Sequence, residues 1–462
     1  MDIKERFKGV DLESIVLHWD GKLLPSITGK EMEERLPIII TSKDTEQILT
    51  IPTLPDSTGK SQAQAMYQAL LEWDLLDKVE AFCCDTTASN LGKFNGAASL
   101  LEGMLGRDIL YLPCRHHIFE VVLKGVFDCK MPKSSSPNVT LFQDFQKKWP
   151  HLDKKKFSCA DKDTIKKVDS DNIVEFCKKQ LLENQPRDDY RELLQLSIIF
   201  LGGNLNTPVS FRMPGAIHHA RWMAKAIYSL KIYLFRSQFD ISAELQGLEK
   251  ICLFIVGVYI EAWYQAPMAI KAPKGDLDFI KKILKFEKVD KEISHIASKK
   301  IVNHLWYLSE EAVALSFFDE TVPEITKFKM AKALKRNFEE EKNKKYKCKV
   351  EELKALSKKE LDFFVSHETN SFFKRMRINS SFLEEPPSSW PMNVAFLEAR
   401  EKIKDLKVVN DTAERGVKLI EEYNNKLTKD EHQRQFIIQV VKDYRTKYPD
   451  SKKGTLMKAY TK

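Results

Sequence analysis

At 462 residues, with 43% hydrophobic and 30% charged side chains, the chain can bury the cores of two or three domains and is no disordered polymer. Its 74 Lys and Arg against 66 Asp and Glu leave a net charge of +8, which permits a nucleic-acid partner without demanding one. The eight cysteines contain no Cys-x-x-Cys pair, which argues against a zinc ribbon or a disulfide framework. The N-terminal stretch is charged and has no apolar signal core, so the expectation is a soluble, reduced, intracellular protein.

In chain order, three short β-branched or apolar runs come first: Ser14–Leu24, Arg35–Thr41 and Glu46–Leu54. Apolar residues at helical spacing then predict a helix over Lys60–Leu76. Val79–Asp85 reads as a buried strand, Leu91–Gly106 as a helix ending on glycine, and Asp108–Cys114 as another strand. The order β-β-β-α-β-α-β predicts one sheet whose crossover helices lead to parallel neighbours.

After a loop at Lys130–Asn138 the texture becomes helical, most clearly over Phe211–Phe235 and over the charged stretch Met330–Phe364. The apolar run Ile251–Ile260 is short of the roughly 20 residues a bilayer needs and reads as a buried helix, so no membrane partner is expected. Leu383–Pro391 marks a second break, followed by helices to the end.

Gly59-Lys60-Ser61 imitates the end of a phosphate-binding loop. That motif needs another glycine five residues earlier, where Leu54 stands, so the stretch reads as a helix start capped by Ser57 or Thr58.

The segment Ala81–Gly96 runs four apolar residues into Asp85 just where the chain turns. A carboxylate at a strand end can serve phosphoryl transfer on nucleic acid, in which two metal ions about 4 Å apart are held by Asp and Glu from neighbouring elements. Magnesium suits such oxygen ligands. Asp20, in the first strand, could supply a second carboxylate.

Taken in order, these residues resemble the catalytic region of hAT-superfamily DNA transposases, and in particular transposase-derived animal proteins. Asp20 matches the first-strand aspartate, and Cys83–Ala97 matches the segment of the second, with Asn90 shortly after Asp85. Cys114 and His117 form the Cys-x-x-His after the next strand. Arg221-Trp222 supplies an Arg-Trp pair in the helical block, and Asn410–Ile420 carries the terminal glutamate, Glu414.

The resemblance implies an α/β fold: a ribonuclease H-like mixed sheet interrupted by a large all-α insertion and closed by a C-terminal helix. The expected division is 1–129, 130–400 for the insertion, and 401–462 completing the first part. It implies Asp20, Asp85 and Glu414 as catalytic metal ligands for Mg2+ (or Mn2+), and DNA strand cleavage and transfer as the ancestral chemistry. Arg221 and Trp222 would hold a DNA end, Cys114 and His117 would be structural near the site, and the protein would act in the nucleus, with the cytoplasm as the alternative compartment and a homo-oligomer allowed. The short stretch before Asp20 leaves no room for the zinc-binding recognition domain of a complete transposase, so a fragment, an isoform or a domesticated descendant is expected. A catalytically inactive DNA-binding or scaffold protein is the other function class.

Each residue also has a plainer role. Asp20-Gly21 is a strong hairpin signal. Asp85 could order the Thr86-Thr87 turn. Asp411 and Glu414 make a capping box. Two ligands, Cys114 and His117, do not make a zinc site. His116, His218 and His219 read as surface or core-edge histidines, and Trp222 as helix core.

Overall fold

Val, Ile and Leu dominate the run Ile15–Trp19, and in the computed structural model it forms β1, buried along its whole length. The model describes residues 7, 10, 12, 14–25, 32–43, 45–131, 139–205, 209, 211–215, 223–335, 348–411, 413 and 431–447. By internal contacts the chain divides into two units. One comprises Met1–Cys114, Phe372–Phe382 and Pro391–Lys462, and the other Arg115–Ser371 with Leu383–Trp390. The helix Arg115–Lys130 groups with the second unit.

In the first unit, β1 is the centre of a mixed five-stranded sheet of order β5-β4-β1-β7-β8. It pairs antiparallel with β4 (Ile38–Ser42), which pairs antiparallel with β5 (Thr45–Thr50). On its other side it runs parallel to β7 (Val79–Cys83), which runs parallel to β8 (Leu110–Tyr111). Strands β4 and β7 are, like β1, buried at every residue, the pattern of a sheet covered on both faces.

One face packs Ile15, Leu17 and Trp19 against Ala63, Met66 and Leu70 of α1 (Gly59–Glu72). The other face carries Ile39, Ile48 and Ile51, which pack on Ala413 and on Ile438 of the terminal helix Glu431–Lys447. That helix also donates from Gln439 to the Leu49 carbonyl at 3.2 Å. It thus closes the β4–β5 half of the sheet; the chain reaches β1 earlier, at Asn410.

Several elements differ from their predicted extents. Ser14–Leu24 is not one strand: β1 ends at Trp19, and β2 (Lys22–Pro25) joins a separate three-stranded sheet with β3 (Met32–Arg35) and β6 (Thr53–Leu54). β1 and β2 do not pair with each other, so Asp20-Gly21 is a passage between sheets and not a hairpin tip. Glu46–Leu54 divides likewise, at Ile51-Pro52, since proline cannot donate to a ladder.

Helix α1 starts on Thr58, whose hydroxyl accepts from the Ser61 amide at 3.3 Å. It stops at Glu72 because Asp74 turns left-handed (φ 55°) and the Leu75 amide donates back to the Leu70 carbonyl. Leu91–Gly106 is helical only over α3 (Ala97–Leu105), with Gly106 at φ 67° as the stop, and a separate single turn α2 (Ala88–Leu91) precedes it.

The second unit is helical. Phe211–Gly215 does not continue the helix Ala224–Leu234 as expected. Pro214 disfavours helix there, and the freed carbonyls take side-chain donors instead: Lys231 on Arg212, Tyr228 on Gly215, and Gln146 on Pro214 and Gly215. Ile251–Ile260 is buried as expected, but a π-helical turn, Ile255–Tyr259, interrupts the helix.

His116 is fully buried and not at a core edge. Its ring stacks on Trp263 at 3.7 Å between centroids and hydrogen-bonds the Trp263 carbonyl at 3.0 Å. Arg115 pairs with Asp276 at 2.8 Å, both buried. Among the described residues no helix is long and apolar enough to cross a membrane.

Candidate active site

Strands β1 and β7 are parallel and in register, with His18 opposite Cys83. Asp20 and Asp85 each stand two residues beyond that pair, at the same ends of adjacent strands whose spacing is about 4.8 Å. Alternation puts both on the face that carries His18 and Cys83. The two carboxylates also act on one buried group: the Cys84 thiol is pushed well up, by burial first, then by Asp85 and, more weakly, by Asp20.

Asp85 is half-buried and closely oriented. Its Oδ1 accepts from the Thr87 amide (3.0 Å), the Thr87 hydroxyl (2.6 Å) and Asn90 Nδ2 (2.6 Å). Among the described residues Oδ2 has no hydrogen-bond partner. The turn-ordering role anticipated for Asp85 is therefore real, and one oxygen performs it, while the cap position of α2 is Thr87. Asn90 is held in turn by Trp19, whose Nε1 donates to Asn90 Oδ1 at 2.8 Å, so the turn is tied to β1. Asp20 is nearly buried, and its Oδ2 meets Lys22 Nζ at 2.9 Å.

Beside these carboxylates, Asn410 ties the end of β1 to the chain just beyond β8. Its side chain bonds His18 Nδ1 at 3.0 Å and the Trp19 carbonyl at 2.9 Å, while its amide donates to Cys114 Sγ at 3.3 Å. The other nitrogen of His18 meets Thr41 Oγ1 at 2.8 Å, and burial lowers the ring's pKa to about 4, so His18 is neutral near pH 7. Cys83 and Cys114 share a thiol hydrogen bond, and burial raises the Cys83 thiol well above its ordinary value.

Glu414 lies outside the described residues, as do Arg221, Trp222, His218 and His219. Ala413, directly before Glu414, is buried against Ile39, Ile48 and Ile51. His117 is half-buried, in the helical unit. Among the described residues no three His, Cys, Asp or Glu side chains gather as a metal cluster. By the chemistry of the donor set, Asp20 and Asp85 are oxygen ligands of the kind a magnesium ion takes, at neighbouring strand ends, and Asp85 Oδ2 has no hydrogen-bond partner among the described residues.

Two residues of the site were not anticipated. Asn410 stood at the head of the Glu414 segment, but nothing local says that an asparagine will bridge β1 and the chain beyond β8. Lys22 could be found only once Asp20-Gly21 was seen not to be a hairpin. Searched against models of protein families and against curated proteins, the chain matches none.

Proposed function

We propose that the chain is a transposase-derived protein of ribonuclease H-like fold, acting on DNA in the nucleus through a carboxylate site at the ends of β1 and β7. The observation that carries this reading is the placement of Asp20 and Asp85 side by side at the ends of parallel strands. The sheet order, with three leading antiparallel strands and two parallel ones after them, supports the ribonuclease H-like assignment.

Asp20, Asp85 and Glu414 would hold magnesium. When bound, a pair of such ions activates the attacking oxygen and stabilises the leaving one. The protein's own share is orientation. Thr87 and Asn90 fix Oδ1 of Asp85 and direct Oδ2 away from the turn, and Trp19 locks Asn90. Asn410 keeps the ends of β1 and β8 together just before the Glu414 segment. Arg221 and Trp222 would take phosphate and an unpaired base at a DNA end.

A second reading, a DNA-binding scaffold without catalysis, is favoured by the Lys22–Asp20 ion pair, which already neutralises one carboxylate. The test compares wild type with Asp85→Asn on labelled hairpin DNA across a magnesium titration. Wild type should nick slowly, and Asp85→Asn should lose nicking while binding as well or slightly better, having lost a negative charge. No cleavage by either, with binding retained, supports the scaffold. Equal cleavage by both removes Asp85 from the chemistry, and absence of binding removes DNA.

A further inference from the structure

Within the helical unit a cavity of about 390 Å³ opens beside the π-helical turn Ile255–Tyr259. That volume lies in the ordinary range of small-molecule pockets, and π turns recur at functional sites. Its walls are of two kinds. Ile173, Phe176, Val256, Ile260 and Phe286 give an apolar side with two aromatic rings. The rim is basic, five lysines against two carboxylates.

Those charges are unequally committed. Lys282 is paired with Glu261, and Lys167 with Glu249 at 3.3 Å. Lys166 reaches Asp163 at 3.2 Å. Lys285 and Lys288 are exposed and have no ion pair or hydrogen bond among the described residues. They lie three apart at the end of the helix Ala272–Lys285 and in the turn Phe286–Lys288, a spacing that places them on one side. Glu287, between them, is not among the lining residues. Lysines at a helix end are ordinary complements to its carbonyls, but that role does not account for an apolar cavity beneath them.

We propose that this cavity binds a phosphorylated small molecule of nucleotide size, with its ring or apolar body against Phe176, Val256 and Ile260 and its phosphate between Lys285 and Lys288. An open cavity with an apolar wall and one free cationic pair among its described residues fits one phosphate on one compact body. A nucleic-acid strand would instead call for a basic track that follows a backbone. The site lies wholly in the helical unit and does not depend on the strand-end carboxylates.

The experiment is calorimetric titration of the full chain with AMP, adenosine and inorganic phosphate. AMP should bind at one site, and adenosine and phosphate each at least about tenfold more weakly, as expected when a charge-assisted contact or the apolar one is missing. The double variant Lys285→Ala/Lys288→Ala should weaken AMP by about tenfold or more and leave adenosine unchanged. Ile173→Trp, which fills the apolar side, should weaken AMP and adenosine alike. Thermal melts of each variant confirm folding, and the surface position of the two lysines makes their removal safe. No binding of AMP by folded wild-type protein overturns the proposal. So does unchanged AMP affinity in the lysine variant, and so does displacement of AMP by a phosphorylated oligonucleotide at lower concentration than AMP itself requires, which would mark the rim as a nucleic-acid surface.

Discussion

His18 shows how one buried side chain sets a pH dependence. In the folded chain its pKa is lowered to about 4, burial outweighing the hydrogen bond that Nδ1 makes to Asn410 Oδ1, whereas the unfolded chain has the ordinary value of 6.5. The native state therefore keeps a neutral ring while the unfolded state takes up a proton below 6.5. Stability is full above that pH and is lost as pH falls toward 4, by at most about 3 kcal/mol from this residue. His304, lowered to about 4 as well, adds to the same window in any variant that keeps it. The informative comparison is thus urea unfolding of wild type and His18→Gln between pH 7 and pH 4.5. The variant should lose less stability across the range, and identical slopes would show that His18 does not titrate as described. Asp85 was readable at this scale because an apolar run ending on a carboxylate is a local signal. Asn410 was not, since its three partners lie on β1 and beyond β8, hundreds of residues away.

At the scale of elements, Gly59 explains the false phosphate-loop signal. A Cβ built there would come within 2.1 Å of the Asn95 carbonyl oxygen and 2.8 Å of two further backbone atoms, Ser89 O and Ala97 N. Glycine is required because the start of α1 presses on the turn between α2 and α3, the turn that follows Asp85. Gly59→Ala must push backbone apart, not merely rotate a side chain, and should destabilise the first unit by about 3 kcal/mol. Amide hydrogen exchange along α1 and β7 measures this; protection equal to wild type would show that the contact relaxes at no cost. The start of α1 at Thr58 was legible from capping chemistry, but its end was not: the apolar spacing runs on to Leu76, whereas the left-handed Asp74 stops the helix at Glu72. The division of Ser14–Leu24 was not, because the residues on either side of Asp20-Gly21 are equally strand-like, and only their different partners separate β1 from β2.

At the scale of the whole molecule, the first unit is assembled from three stretches of chain, and its last one covers a sheet face formed at the start. A chain ending at Asp405 lacks Asn410, Ala413 and Ile438, leaving Ile39, Ile48 and Ile51 uncovered, each worth about 1.5–3 kcal/mol when buried. Hydrogen exchange should then show residues 15–111 losing protection, while the helical unit, which has its own core, keeps it. Retained protection in β1 and β4 would mean that the closing segment is dispensable. The amino-acid sequence by itself determined what short-range chemistry can write. It specified β-branched runs at β1, β4 and β7, a cap at Ser57 or Thr58, the helical texture after the loop at Lys130–Asn138, and carboxylates at two strand ends. Tertiary structure alone decided that those two ends lie side by side, that Asp20 passes between two sheets, and that Asn410 joins β1 to the chain beyond β8. The physical reason is that periodicity and turn chemistry act over a few residues, whereas register, strand order and a buried polar bridge depend on which distant segments exclude water together.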